Sequence, residues 1–172
     1  MFDRLIDLLL DSIGLFKFWE VIDEYEEAVV LRLGRYNRVI GPGFHFVIPF
    51  AVERAMGDIV KPTTHALKPQ SLTTSDGVGV VVSGIITRTI TDIRTALLEC
   101  EGVETVITDS ADGVIASLVR NATWEQLHTD EFAAEVKSAI HKRAKEYGVS
   151  IKRFQWHDCA KARSLRLWTG DK

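Results

Sequence analysis

The chain has 172 residues, 46% of them hydrophobic and 26% charged, with four prolines and twelve glycines, values that exclude a low-complexity or disordered chain and leave room for one core of ordinary size. Its two cysteines, Cys100 and Cys159, are too few and too far apart for a disulfide framework and fit a reducing compartment. The net charge of −3 is unevenly spread, since residues 1–136 hold 11 Lys/Arg against 21 Asp/Glu and residues 137–172 hold 10 against 3, and opposite ends of this kind can attract across a subunit boundary.

Residues 1–19 open the chain with Asp3, Asp7 and Asp11 on one helical stripe and Phe2, Leu5, Leu9, Ile13, Phe16 and Trp19 on the other faces. The spacing predicts an amphipathic helix, but charges interrupt it well short of the roughly 20 apolar residues a bilayer span requires. It is expected to lie on a membrane surface or, alternatively, against a neighbouring subunit, although the cationic face usual for such anchors is missing. No basic leader or small-residue cleavage site marks it as a secretory signal.

The run Glu26–Phe50 organises the rest of the chain. Ala28 to Leu33 reads as a strand, Gly34-Arg35-Tyr36-Asn37 as a reversal, and Gly41-Pro42-Gly43 as a second turn that sends Phe44 to Ile48 off in a new direction before Pro49 stops it. Positive φ is expected at Gly43. Ala51 to Val60 alternates weakly, as a half-exposed strand would, and Lys61-Pro62 with the residues to His65 breaks it. Ser71 to Thr74 leads into an Asp76-Gly77 hairpin turn and then one long strand to Ile90, bulged at Gly84.

Helical spacing begins at Val103 and is carried by Ile107, Ile115 and Val119. Thr123 and Gln126 form a capping-box pattern for a short turn, and Thr129 caps a second long helix bearing Phe132, Val136, Ile140 and Tyr147, closed by Gly148. Val149 and Ile151 then return to the sheet. The resulting fold class is α+β, a mainly antiparallel β-sheet with helices packed on one face, preceded by an N-terminal amphipathic helix.

Little in the chain reads as catalysis. The five histidines make no HExxH pattern, and His157-Asp158-Cys159 lacks a second ligand pair at zinc spacing. His157 and Cys159, as near neighbours on a strand, have no orienting partner. Gly77-Val78-Gly79 lies in a hairpin and enters a strand, the wrong setting for a phosphate loop. Glu24, Glu26 and Glu27 read as a solvated strand end. No catalytic residue, metal site, cofactor or small-molecule substrate is therefore expected. The basic residues among 152–168, interleaved with Phe154, Trp156 and Trp168, could hold nucleic acid by phosphate contact and stacking. A strand and surface helix meeting an acidic neighbour is the preferred reading of that segment.

Gly34-Arg35-Tyr36, followed by Gly41-Pro42-Gly43-Phe44-His45-Phe46-Val47-Ile48-Pro49-Phe50, resembles the entry motif of the stomatin, prohibitin and flotillin superfamily, the SPFH or band 7 domain. Leu72 to Val78, Arg120, Thr123 to Leu127 and Tyr147-Gly148-Val149 extend the resemblance over roughly residues 20 to 160. It divides the chain into a helix at 1–19, the domain at 20–160 and a basic tail at 161–172. It implies a non-enzymatic scaffold, peripheral or monotopic on the cytoplasmic side of a membrane, that self-associates side by side or in a ring and acts on membrane proteins or lipids. A membrane protease or channel is the kind of partner it implies. Such proteins usually continue into a long coiled coil, and no heptads follow here, so a short form is expected. Membrane contact is expected at Phe2, Leu5, Leu9, Ile13, Phe16, Trp19, Phe44 and Phe46, and a subunit interface at Glu26, Glu27, Arg143 and Lys152. The alternative is a soluble adaptor that binds one protein partner through the same fold.

Overall fold

The computed structural model describes residues 18–50 and 52–162. The expected N-terminal helix, with Phe2, Leu5, Leu9, Ile13 and Phe16, lies outside the described residues, as do most of the basic tail and Trp168. The fold is α+β as expected, with nine strands and three α-helices among the described residues. The described residues divide into two compact units, one drawn from residues 18–61 with 90–101 and the other from residues 62–89 with 102–162.

The first unit contains β1 (Trp19–Ile22), β2 (Glu26–Arg32), β3 (Arg35–Ile40), β4 (Gly43–Phe46), β5 (Glu53–Ile59) and the short helix α1 (Ile93–Leu98). β1 pairs antiparallel with β4, and β2 lies between β3 and β5 in a three-stranded antiparallel sheet. Alternation sorts β2 by face. Ala28 and Val30 pack with Ile22 of β1, Ile40 of β3 and Ala55 of β5 in one core cluster, while Val29 is buried on the other face. A strand covered on both sides needs the unbroken apolar run Ala28–Leu31.

Two details differ from the sequence reading. The β2–β3 reversal is a two-residue turn at Leu33 and Gly34, with φ of 49° and 80°, the mirror-image type that matches strand twist. Asn37, expected in that turn, lies within β3 where the register shifts, as the extra residue between the Val30–Arg38 and Leu31–Tyr36 pairs. Trp19, expected at the end of a helix, begins strand β1 instead, in register with Phe46. Neither β1 nor α1 was expected at all. α1 is capped by Asp92, whose carboxylate accepts from the backbone N–H of Arg94 and Thr95 and from the Thr95 hydroxyl.

Gly43 has φ of +120°, the left-handed side expected for it, and opens β4. An added Cβ there would meet nothing within 4 Å, so the constraint is on the backbone and not on space. Gly43→Val should therefore cost about 1–3 kcal/mol through backbone strain, read as a lowered midpoint in urea denaturation. An unchanged midpoint would show that the Gly41–Gly43 turn tolerates another path.

The second unit contains β6 (Thr63–Ala66), β7 (Gln70–Thr73), β8 (Gly79–Ile90), α2 (Val103–Asn121), a 3-10 turn at Gln126–His128, α3 (Asp130–Lys145) and β9 (Val149–Lys161). β6 and β7 pair antiparallel with successive halves of the long β8, and β9 also pairs with β8. β6 occupies the stretch expected to be a break, a four-residue strand just after Pro62. Gly84, where a bulge is expected, falls between the β7 ladder, which reaches Val82, and the β6 ladder, which begins at Ile85. It lies under Phe154, where a Cβ would come within 2.8 Å of the ring.

α2 packs beside α3, α2 also meets β7, and α3 lies along β9. Ile107, Ile115 and Val119 of α2, Val136 and Ile140 of α3, and Val80, Val82, Ile86, Val149 and Ile151 of the sheet form the buried interior. The capping box is present in reciprocal form. The Thr123 N–H donates to Gln126 Oε1 at 2.8 Å, and the Gln126 N–H reaches Thr123 Oγ1 at 3.5 Å. Thr129 caps α3 by accepting from the Phe132 N–H at 3.3 Å.

Candidate functional site

The β1–β4 pair displays apolar side chains where a soluble domain would bury them. In an antiparallel pair, residues in direct register share a face, and residues two apart repeat it. Trp19 faces Phe46 and Val21 faces Phe44, so all four project from one side. They are 50%, 74%, 62% and 58% exposed, and the Phe44 and Phe46 rings meet edge to face at 5.2 Å. The reverse side of the pair turns inward, with Ile22 in the core cluster and His45 bonded through Nε2 to Gly41 O at 2.7 Å. Ile48 and Phe50, just after β4, are also exposed. A contiguous apolar surface of this kind marks a contact site.

A charge cluster fixes the base of this surface, and the sequence reading missed it. The alternation that places Ala28, Val30, Ile40 and Ala55 in the core continues outward to Arg32, Arg38 and Glu53. Glu53 Oε1 accepts from Arg32 Nη2 at 2.8 Å and Nε at 3.0 Å, from Asn37 Nδ2 at 2.9 Å and from Arg38 Nη1 at 3.0 Å. Its Oε2 accepts from the Ile48 N–H at 3.1 Å, and its own N–H donates to Ile48 O at 3.1 Å. Arg38 Nη2 adds a bond to Phe46 O at 2.9 Å. One carboxylate thus joins β2, β3 and β5 to Ile48 just beyond the apolar strand, and through Arg38 to Phe46 at its end.

Glu53 is buried, which by itself would raise its pKa, but the Ile48 N–H and the Arg32 and Arg38 guanidinium groups outweigh burial and bring it down to about 2. A carboxylate so acidic and so fully bonded is a poor general base. It is suited to holding two arginines in place.

Of the expected contact residues, Trp19, Phe44 and Phe46 come together on one surface. The expected interface residues fall in both units, the acids in the first and the bases in the second. Glu26 and Glu27 are half-buried at the start of β2, opposite Ile59 and Asp58. Arg143 near the end of α3 and Lys152 in β9 are exposed in the second unit. Phe154 and Trp156, which could have stacked on bases, meet edge to face, and Trp156 also stacks on Phe132 at 6.2 Å, so both are used in packing. Burial raises the thiol pKa of Cys100 and of Cys159, with Glu99 and Asp158 adding to it, which leaves both protonated and weakly nucleophilic at neutral pH. Among the described residues no three His, Cys, Asp or Glu side chains gather as metal ligands, and no helix is long and apolar enough to cross a membrane.

Such a domain presents an apolar strand pair on a charged brace, with a Gly-Pro-Gly turn setting the direction of its outer strand. The SPFH domain / Band 7 family model matches residues 20–159, and the chain belongs to that family. It is 23% identical over 133 residues to an uncharacterised protein of Archaeoglobus fulgidus, covering 76% of this chain and 53% of that one. It is 23% identical over 143 residues to stomatin-2 of Caenorhabditis elegans, covering 81% and 38%. It is 21% identical over 143 residues to mouse stomatin, covering 81% and 50%. The chain thus spans about half or less of the length of these curated relatives.

Proposed function

We propose that this protein is a non-enzymatic scaffold that docks on a membrane surface through the outer side of β1–β4 and self-associates there to organise membrane proteins or lipids. The observation that carries the reading is the shared exposure of Trp19, Val21, Phe44 and Phe46 on one side of that strand pair. Water is a poor environment for so much aromatic surface, whereas the boundary between headgroups and acyl chains suits it. Residues 1–19 add to the same anchor in this reading, since they lead directly into β1. Membership of the SPFH family supports the scaffold role. Flotation of the purified chain with phosphatidylcholine vesicles tests the docking: the protein should rise with the vesicles, and a chain that stays at the bottom of the gradient is not a membrane-surface protein.

Self-association is assigned to charge. The excess of acid before residue 137 and of base after it favours contact between unlike surfaces, which closes into a ring or continues as a filament. Glu26 and Glu27 on one subunit and Arg143 and Lys152 on the next are the proposed partners. Reversing Arg143 and Lys152 to Glu should break the assembly, and adding Glu26→Lys with Glu27→Lys should partly restore it. Raised salt should weaken it, because exposed charges are screened beyond about 8–10 Å near physiological ionic strength. Sedimentation velocity on the three proteins decides this, and one oligomer size for all of them would remove charge from the assembly mechanism.

A further inference from the structure

Beside the apolar surface lies a cavity of about 440 Å³ whose walls include Phe46, Val47, Ile48 and Pro49 and whose polar boundary is Arg32, Arg38 and, bonded to both, Glu53. We propose that it binds the headgroup of an anionic phospholipid, with the two guanidinium groups on the phosphate and the first part of the acyl chains along the apolar wall.

Charge is the first argument. Two guanidinium groups meet one carboxylate, so the cluster keeps one positive charge in excess. The Glu53 side chain is 1% exposed, whereas those of Arg32 and Arg38 are 49% and 38% exposed. The anion that orders the arginines is therefore hidden beneath them, and their outer edges reach solvent. Each guanidinium carries five N–H donors in a planar fork that matches phosphate oxygens. Glu53 takes two donors of Arg32 through Nε and Nη2, which leaves that fork capacity for a second anion. Holding the forks in place before the ligand arrives reduces the entropy lost on binding.

The walls supply the second argument. A free phosphate gains nothing from Phe46, Val47, Ile48 and Pro49, while a lipid satisfies both the charge and the apolar lining. Phe46 belongs to the cavity and to the outer side of β1–β4 alike, so a lipid held here would be one already in the layer on which the domain docks. The inference rests on that docking reading for its setting, but the binding can be measured without a bilayer.

Two measurements test it. In solution, short-chain dihexanoyl phosphatidylglycerol, kept below its micelle concentration, should bind saturably to the full chain. Dihexanoyl phosphatidylcholine and inorganic phosphate should each bind roughly 10- to 100-fold more weakly, the factor expected when charged hydrogen bonds or apolar contacts are missing. On vesicles, binding to phosphatidylcholine mixed with phosphatidylglycerol should exceed binding to phosphatidylcholine alone, and in Arg38→Gln the ratio of the two should fall toward one. Because Arg38→Gln removes a partner of a buried carboxylate, Arg32→Gln, Arg38→Gln and Glu53→Gln combined provide a version with neither an unpaired charge nor an excess of positive charge. It should lose the same preference.

Equal binding of the two short-chain lipids, phosphate binding as tight as the anionic lipid, or an anionic preference that survives in both variants overturns the proposal. A chain that binds the anionic short-chain lipid but neither vesicle overturns the docking reading and leaves the lipid site standing. Binding to both vesicle types alike, with no selective binding in solution, does the reverse.

Discussion

Replacing Glu53 by alanine is expected to destabilise the protein by about 3–5 kcal/mol, the range for removing one member of a buried ion pair. Arg32 and Arg38 would then face each other without their common anion, and the Ile48 N–H and Asn37 amide would lose their acceptor. Partial exposure of both arginines relieves some of the repulsion, which places the effect toward the lower end. Glu53→Gln keeps one oxygen for these donors and should lose less.

Acidification reports the same cluster. The Glu53 pKa is about 2 in the folded chain against an ordinary 4.5, so on lowering the pH the unfolded chain takes up its proton first. Stability from this group is complete above pH 4.5, declines as the pH falls, and is gone below about 2. The gap corresponds to about 3 kcal/mol. Urea denaturation at several pH values between 7 and 2 should show a steeper loss in the native protein than in Glu53→Gln over that window. Parallel curves, or a Glu53→Ala protein as stable as the parent, would mean that the cluster does not hold the unit together.

The sequence made some of this legible and concealed the rest for identifiable reasons. Thr123 and Gln126, Thr129, and the stripe through Ile107, Ile115 and Val119 are local signals, complete within one or two helical turns, and the structure follows them. Gly43 and Asp76-Gly77 punctuate the chain by backbone conformation, which is also local. β1 and β6 are four residues each, too short to show a period, and they exist because β4 and β8 provide ladders to join. α1 has only six residues, too few to show an apolar stripe, and its Asp92 cap is recognisable only once the helix is known. Leu33 took the turn position for which Asn37 looked better suited, because the shifted register inserts Asn37 into β3 and turns its amide toward Glu53.

Glu53 itself was invisible for another reason. Its partners Arg32, Asn37 and Arg38 stand 15 to 21 positions before it, and only the β2–β5 register aligns the carboxylate with Arg32. An acid in a weakly alternating segment reads as solvated until that register is known. The same holds for the contact surface. Phe44 and Phe46 could be selected as apolar residues after a turn, but their union with Trp19 and Val21 depends on pairing across about two dozen residues of chain, for which loop closure and not local preference is decisive.

That union gives the largest expected functional effect. Phe44 and Phe46 are mostly exposed in the free protein, so Phe44→Asp with Phe46→Asp removes no core contact and should leave the circular dichroism spectrum and melting midpoint close to those of the parent. A fully buried large apolar side chain is worth about 1.5–3 kcal/mol, and docking at an interface buries each ring only in part, so losing both should remove about 3 kcal/mol. This corresponds to a fall of roughly 100-fold in partition to phosphatidylcholine vesicles, with the added carboxylates increasing the loss by resisting transfer from water. Phe44→Leu with Phe46→Leu keeps most of the apolar area and should retain most of the binding, which separates area from any special property of the aromatic pair. Vesicle titrations of the parent and both variants in the same buffer decide between the outcomes. If the Asp variant partitions as well as the parent while remaining folded, the outer side of β1–β4 is not the membrane contact, and its exposed rings must serve a partner other than lipid.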